Sequence, residues 1–285
     1  MYAASKQGVL YILATPIGNL GDLSPRAVET LGRVDLVAAE DTRHSGRLLQ
    51  HLGLQKSMIS LHDYNERERI DSVLERLANG AHVALISDAG TPLISDPGYV
   101  LVREARERGL RVSPIPGPCA LVAALSAAGL PTDCFRFEGF LPSKRGARKA
   151  ALEALARETA TLVFYESPHR VRETAAALAD VMGADRPVVL ARELTKAFET
   201  FYTGTAFDVC EQLKEDPYGA RGEFVVMVQG ASLKPEAEPG LDVDKFLRLM
   251  LAELPVKTVA KLGAELTGRS RNELYQRALT LKNDS

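Results

Sequence analysis

The sequence predicts an α/β protein of two domains followed by a helical tail, and three observations carry that expectation. Short apolar runs alternate with capped, amphipathic segments through the first half of the chain. The densest Pro/Gly cluster, Pro114-Ile115-Pro116-Gly117-Pro118, lies near the middle and reads as an interdomain hinge. A polar, Pro-rich stretch, SLKPEAEPG (232–240), then separates the body from a last segment of helical pattern. The 285 residues also exceed one average domain of roughly 100–200 residues. These boundaries give a parallel α/β domain over 8–116, a mixed α/β domain over 117–230, a linker over 231–240 and a helix-turn-helix-like tail over 241–285.

Taken in order, residues 9–14 (VLYILA) form a compact apolar run ended by Thr15-Pro16-Ile17-Gly18-Asn19, a buried strand running into a turn. Ser24 followed by Pro25 supplies an N-cap and a proline at the first helical position, starting a helix through about Leu31. Residues 34–39 (VDLVAA) make the next strand, with a helix through Leu48 and Leu49 and a short strand at 58–61 after it. Ile70, Val73, Leu74 and Leu77 are spaced as one face of a helix over 66–78. A strand at 82–87 (HVALIS) leads into a long loop, a helix near 99–108 and a strand at 111–115. In the second half, an Ala-rich helix over 119–128 precedes strands at 135–140, 161–165, 187–191, 198–203 and 223–228. Helices are expected from about Arg148, between the second and third of those strands, and near 207–213, with some antiparallel pairing. In the tail, 256–267 and 271–280 flank a Gly268-Arg269-Ser270 break.

Composition excludes several classes. Apolar residues make up 46% and charged residues 25%, which is the balance of an ordinary globular protein and not of a disordered chain. A net charge of −2 excludes a uniformly basic nucleic-acid binder, although residues 257–282 are locally +4. The three cysteines, Cys119, Cys134 and Cys210, stand far apart and form no CxxC or Cys/His cluster. Neither a zinc site nor a disulfide framework is expected, and a reducing cytoplasm fits. No run approaches the ~18 apolar residues of a membrane span, and the start is too short in apolar residues for a signal peptide.

The chemistry is expected where loops leave strands. Ser87–Gly98 (SDAGTPLISDPG) crowds two Gly, two Pro and two Asp into the loop after a buried strand. In an open parallel sheet ligands bind at carboxyl ends of strands, and small residues let a ligand approach the backbone. The Thr15–Asn19 turn also follows a strand, so both loops can converge on one pocket. Neither GxGxxG, GxxxxGK[ST] nor G-x-S-x-G is present, and the five histidines are scattered, so no metal site is expected. Glu40-Asp41-Thr42-Arg43 and Phe164–Arg170 (FYESPHR) put further polar groups at strand ends, and Lys144–Lys149 packs four positive charges into six residues.

LATPIGNLGDLSPRA (13–27), AAEDTRHSGRLL (38–49), SDAGTPLISDPG (87–98), PIPGPCALVAALSAAGLP (114–131), FEGFLP (137–142), FYESPHR (164–170) and ARELTKAFE (191–199) follow one another along the chain. On these stretches the sequence resembles the tetrapyrrole methylase superfamily, and within it the small-subunit ribosomal RNA methyltransferases. The resemblance implies a two-domain fold that holds S-adenosylmethionine in the cleft between domains, usually as a homodimer. It also implies 2′-O-methylation of a cytidine ribose in the decoding region of 16S rRNA. Cofactor contacts would fall on Ile17, Gly18, Ala89, Gly90, Thr91, Pro92, Ile94, Cys119, Ala120, Tyr165 and Leu194. Tetrapyrrole members usually have Asp where this chain has Thr91 and Pro where it has Ile17, departures that fit an acceptor other than a porphyrin. A ribose hydroxyl is a weak nucleophile that a base assists, and Glu40, Asp41, Asp88, Asp96 and Glu166 all sit at strand ends as candidates. Arg43, Lys144, Arg145 and Arg170 read as RNA phosphate or ribose contacts. Two other readings stand beside this one: a tetrapyrrole-type small-molecule methyltransferase, and a DNA-binding regulator acting through the tail.

Overall fold

A computed structural model describes residues 7–61, 66–232 and 243–283. It divides into two compact units, residues 1–231 and 232–285. The first 115 residues build β1 (Val9–Leu13), α1 (Pro25–Arg33), β2 (Leu36–Ala39), α2 (Thr42–His51), β3 (Met58–Ser60), α3 (Glu66–Ala78), β4 (Val83–Ile86), α4 (Tyr99–Glu107) and β5 (Arg111–Ile115). All five strands pair in parallel, in the order β3-β2-β4-β1-β5. The central strands read as continuous apolar runs because both faces are covered. Leu10, Ala38, Val83 and Leu85 pack against Leu74 of α3 and Leu101 of α4. Their alternates Leu13, Val37, Ala84 and Ile86 pack against Ala27 and Leu31 of α1 and Leu49 of α2. As the sequence suggested, Ser24 caps α1 by accepting the Ala27 N–H at 3.1 Å, with Pro25 at the first helical position. Pro114 lies on the edge strand β5, where a missing N–H is tolerated.

The remainder of this unit forms α5 (Ala120–Ala127), β6 (Phe135–Phe140), α6 (Arg145–Leu155), β7 (Thr161–Glu166), α7 (Val171–Met182), β8 (Pro187–Arg192), β9 (Thr200–Thr205), α8 (Ala206–Glu215) and β10 (Phe224–Val228). The sheet order is β6-β7-β10-β8-β9, with β6 parallel to β7 and the other three pairs antiparallel. One face, carrying Leu162, Phe164, Leu190 and Val226, packs on α6, α7 and α8. The other, carrying Val163, Val189, Ala191 and Val225, packs on Leu121, Ala124 and Leu125 of α5.

Two elements depart from expectation. α6 starts at Arg145, three residues before the expected start, so most of the basic run is helical. β9 is displaced to Thr200–Thr205, because turns fix residues 193–199 before it and a helix begins directly after it. There Thr205 and Asp208 form a reciprocal capping box that begins α8 at Ala206.

The second unit holds α9 (Val243–Leu251), α10 (Val256–Thr267) and α11 (Arg271–Asn283) around a core of its own: Leu247, Val259, Ala260, Leu274, Ala278 and Leu281. α10 ends at Gly268 in the left-handed region (φ 67°), a conformation that glycine adopts without steric penalty. α9 was not foreseen as a separate helix. The expected linker lies, but for Ala231 and Ser232, outside the described residues.

Candidate active site

β1 and β4 are neighbours at the centre of the parallel sheet, yet their connections leave toward opposite faces: the helix after β1 packs into one core and the helix after β4 into the other. Such a point opens a crevice beyond the carboxyl ends of the strands. The two loops that leave it are tied together. Thr15 N–H donates to Gly90 O at 2.8 Å, Gly90 N–H donates to Thr15 O at 3.1 Å, and Thr15 Oγ1 donates to Ser87 O at 3.2 Å. The loops after β1 and β4 therefore do converge.

Strain marks the same place. Among the described residues four that are not glycine have positive φ: Leu93 (73°), Ser95 (67°), Glu193 (51°) and Thr195 (65°). The first two lie in the loop after β4 and the others in the turn after β8. Left-handed backbone costs such residues on the order of 1 kcal/mol each, and it concentrates where a site needs a particular shape.

Between these two loops lies a cavity of about 340 Å³. Of the expected cofactor contacts, Ile17, Ala89, Gly90, Thr91, Ile94, Ala120, Tyr165 and Leu194 line it. Gly18, Pro92 and Cys119 do not. Gly18 sits against the Lys196 side chain, and a Cβ there would collide with it. Pro92 is buried within its loop, and Cys119 is the residue before α5. Thr91 Oγ1 donates to Pro118 O at 2.9 Å, and Tyr165 Oη accepts the Leu121 N–H at 3.2 Å. These two bonds join the segment from Pro118 to Leu121 to both walls. Burial first of all raises the Tyr165 pKa, so its hydroxyl stays protonated. Sequence reasoning had not placed Ser95, Phe140, Ser167 or the start of β10 at this cavity, which they also line. The available signal was the FEGFLP and ISDPG wording of the neighbouring stretches.

The five candidate carboxylates part ways. Asp96 lines the cavity, and burial above all, aided by the nearby charges of Glu40 and Asp88, pushes its pKa up to about 6 against an opposing Ser87 hydrogen bond. Asp88 Oδ1 accepts the Asp41 N–H at 3.2 Å, so Asp88 and Glu40 stand behind Asp96 as a linked group. Asp41 caps α2 and binds Arg43, whose hydrogen bonds lower its pKa to about 2. Glu166 has a fully buried side chain that accepts Thr174 Oγ1 at 2.6 Å and the Ser167 N–H at 2.8 Å, with Arg170 Nε 3.4 Å away. Glu166 lines the cavity as well, but its hydrogen bonds make it an anchor for the loop between β7 and α7.

The basic residues divide likewise. Arg170 is turned inward: its Nη2 donates to the carbonyls of Leu141 (2.5 Å) and Pro142 (3.2 Å), fixing the segment after β6. Arg148 is buried, its side chain only 3% exposed, and bonds Glu173 at 2.6 Å. Arg43 is exposed but paired with Asp41. Lys144 and Arg145 are exposed, without an ion pair among the described residues, at the start of α6, where no side chain caps the free N–H groups.

The family profile described as Tetrapyrrole (Corrin/Porphyrin) Methylases matches residues 9–210, which take in the parallel sheet, all of the second sheet except β10, and most of the cavity lining. The chain belongs to the tetrapyrrole methylase family. A second profile, RsmI C-terminal HTH domain, matches residues 237–282, the unit of α9 to α11. The chain is 50% identical over 277 residues to ribosomal RNA small subunit methyltransferase I of Escherichia coli O157:H7, covering 97% of this chain and 96% of that protein. It is 53% identical over 274 residues to the protein of the same name from Pseudomonas aeruginosa, covering 95% and 97%. Within the family it thus groups with the ribosomal RNA small subunit methyltransferase I proteins. Among solved structures the fold is shared with a uroporphyrin-III C-methyltransferase from Thermus thermophilus (TM-score 0.55, 20% identity, 78% of this chain and 94% of that one). It is also shared with a diphthine synthase (TM-score 0.59, 16% identity, 78% and 90%).

Proposed function

We propose that this tetrapyrrole methylase transfers a methyl group from S-adenosylmethionine to the 2′-oxygen of a cytidine ribose in 16S rRNA. The observation that carries the reading is the near full-length identity of about half to proteins named for small-subunit rRNA methylation, together with a strained, small-residue cavity at the sheet crevice. Its volume falls within the roughly 300–1,000 Å³ of small-molecule pockets.

The residues present fit a cationic, adenosine-bearing cofactor. Ala89, Gly90 and Ala120 keep the wall shallow; a Cβ on Gly90 would already stand 3.3 Å from Ile17 Cγ2. The acidic group of Asp96, Asp88 and Glu40 complements positive charge. S-adenosylmethionine, when bound, supplies an electrophilic methyl on a sulfonium sulfur. Ile17, Leu194 and the Tyr165 ring exclude water from the cavity and hold its walls apart, so that much of the rate can come from alignment. Asp96 ionises against a bound cation, and of the five carboxylates it is the one suited to hold the proton released by a ribose hydroxyl. Lys144 and Arg145 meet RNA phosphates, which set register and not sequence. A homodimer in the cytoplasm completes the reading. No helix of the described residues is long and apolar enough to cross a membrane.

The test is incubation with labelled S-adenosylmethionine and unmethylated small ribosomal subunits, mapping label by nuclease digestion and mass spectrometry. Label on one ribose 2′-oxygen is expected. Label on a precorrin-type tetrapyrrole and none on the subunits would overturn it.

A further inference from the structure

Phe140 is 55% exposed although it is a large apolar ring at the end of a strand and lines the cavity. Its position results from a local irregularity. β6 runs alongside β7 with Phe135, Arg136 and Phe137 opposite Thr161, Leu162 and Val163, but then Gly139 and Phe140 stand opposite Phe164 and Tyr165. One residue is bulged out between Phe137 and Gly139, with Gly139 at φ 67°. In a regular strand, residues three apart point to opposite faces. Here their partners Val163 and Tyr165 are two apart, so Phe137 and Phe140 share the cavity face. The rings bear this out: Phe137 meets Tyr165 edge-on with centroids 4.8 Å apart, and Phe140 meets it at 5.8 Å and 67°. Bulges beside active sites re-aim side chains in this way. A Cβ on Gly139 would stand 3.5 Å from Ser95 Oγ, so the bulge also faces the strained loop after β4.

The result is an aromatic ring presented at the cavity, braced from behind by Tyr165, itself held by its bond to the Leu121 N–H. Arg170 pins the two carbonyls that follow Phe140. Four and five residues on, Lys144 and Arg145 are exposed and without an ion pair among the described residues. A braced aromatic face with cations a few residues away is complementary to an unpaired nucleotide: the base stacks on the ring and its phosphates meet the cations. We propose that Phe140 is the stacking platform for a nucleobase of the acceptor strand, positioning the ribose at the cavity. The bulge at Gly139 is the device that turns the ring to that task. The proposal rests on the reading that the acceptor is RNA.

The test compares the full chain with F140A, F140L and F140W for S-adenosylmethionine affinity by calorimetry, oligomeric state by light scattering, and kcat and KM on unmethylated small subunits. Wild-type methylation of the subunits comes first; if it fails, the RNA reading fails and the platform falls with it. With wild type active, F140A is expected to raise KM between about fivefold and 150-fold, the range that base–aromatic stacking spans when a ring is truncated. Cofactor affinity and oligomeric state stay unchanged, F140W stays near wild type, and F140L behaves as F140A does. F140L matching wild type would reduce the ring to an apolar lid. A parallel loss of cofactor affinity would make it a cofactor wall, and an altered oligomeric state would assign it to an interface between copies. Each of these, like an unchanged F140A, overturns the proposal.

Discussion

Glu166 ends a strand at the cavity and so stands among the candidate bases, yet its geometry assigns it to structure. Glu166→Gln separates the two roles. The carboxylate accepts hydrogen bonds from Thr174 Oγ1 and the Ser167 N–H and faces Arg170 Nε, all with its side chain fully buried. Glutamine keeps one acceptor for Ser167 but turns an NH₂ toward the Thr174 hydroxyl and removes the charge opposite Arg170. Hydrogen bonds to a charged group contribute about 1.5–3 kcal/mol against roughly 1 for neutral ones, so the net loss is about 2–3 kcal/mol. For a unit of this size each kcal/mol moves Tm by about 2–4 °C, which places the expected fall at about 4–12 °C by thermal denaturation. The kcat on small subunits is expected to change less than tenfold, because the Glu166 carboxylate that lines the cavity is already engaged by Thr174 and Ser167. KM rises as Arg170 releases the segment behind Phe140. A cycle with Thr174→Val is expected to show a coupling of about 1 kcal/mol or more. A native Tm with kcat reduced by the roughly 10²- to 10⁴-fold typical of a lost general base would refute the structural assignment.

Gly90→Ala puts a side chain on a backbone at φ 85° and a methyl 3.3 Å from Ile17. Thermal denaturation is expected to show a loss of about 1–2 kcal/mol from left-handed strain, and calorimetry a fall in cofactor affinity as the methyl narrows the cavity wall. Asp96, with its pKa raised to about 6, contributes stability to the ligand-free protein at low pH that is lost as pH rises through 6. A cationic ligand binds the ionised form, so S-adenosylmethionine affinity is expected to rise between pH 5 and 7 in the wild type and to lose that pH dependence in Asp96→Asn. Replacing Lys144 and Arg145 together by Ala is expected to weaken RNA binding and to flatten the slope of log affinity against log salt by about 1.4, roughly 0.7 per phosphate contact on a single strand. Unchanged titrations at two salt concentrations would rule these contacts out. Leu274, 1% exposed in the small core of α9 to α11, is expected to cost about 2–5 kcal/mol as Leu274→Ala. Hydrogen exchange should then show the amides of 243–283 unprotected while those of the two sheets keep their protection.

The parallel sheet was readable because its central strands are apolar throughout, so periodicity and length agree with burial on both faces. Ser24-Pro25 and Gly268 marked helix ends through chemistry that acts within four residues. The convergence of Thr15–Asn19 with Ser87–Gly98 was likewise legible from strand ends. What escaped depends on contacts distant in sequence. FEGF looks like an ordinary alternating strand, and only the register against β7 reveals the bulge. Glu166 and Arg170 look like exposed groups at a strand end, but Thr174 and the Leu141 and Pro142 carbonyls absorb them. Within Lys144–Lys149 nothing local distinguishes buried Arg148 from its exposed neighbours; helix phase against Glu173 does.

The bulge in β6 has a consequence for how the protein behaves in a crowded cell. β6 is the outer strand of its sheet, and an outer strand offers a row of unpaired N–H and C=O groups to any passing chain. The irregularity at Gly139 interrupts that row midway and leaves no regular run longer than the Phe135–Phe137 segment. A sheet edge flanked by exposed Phe135 and Phe140 would otherwise make a sticky template. Straightening it, by deleting one residue between Phe137 and Phe140, would leave Phe140 two residues after Phe137 and so still on the cavity face, but would restore an unbroken edge for strand addition. Self-association would then appear without any change in the face that Phe140 presents.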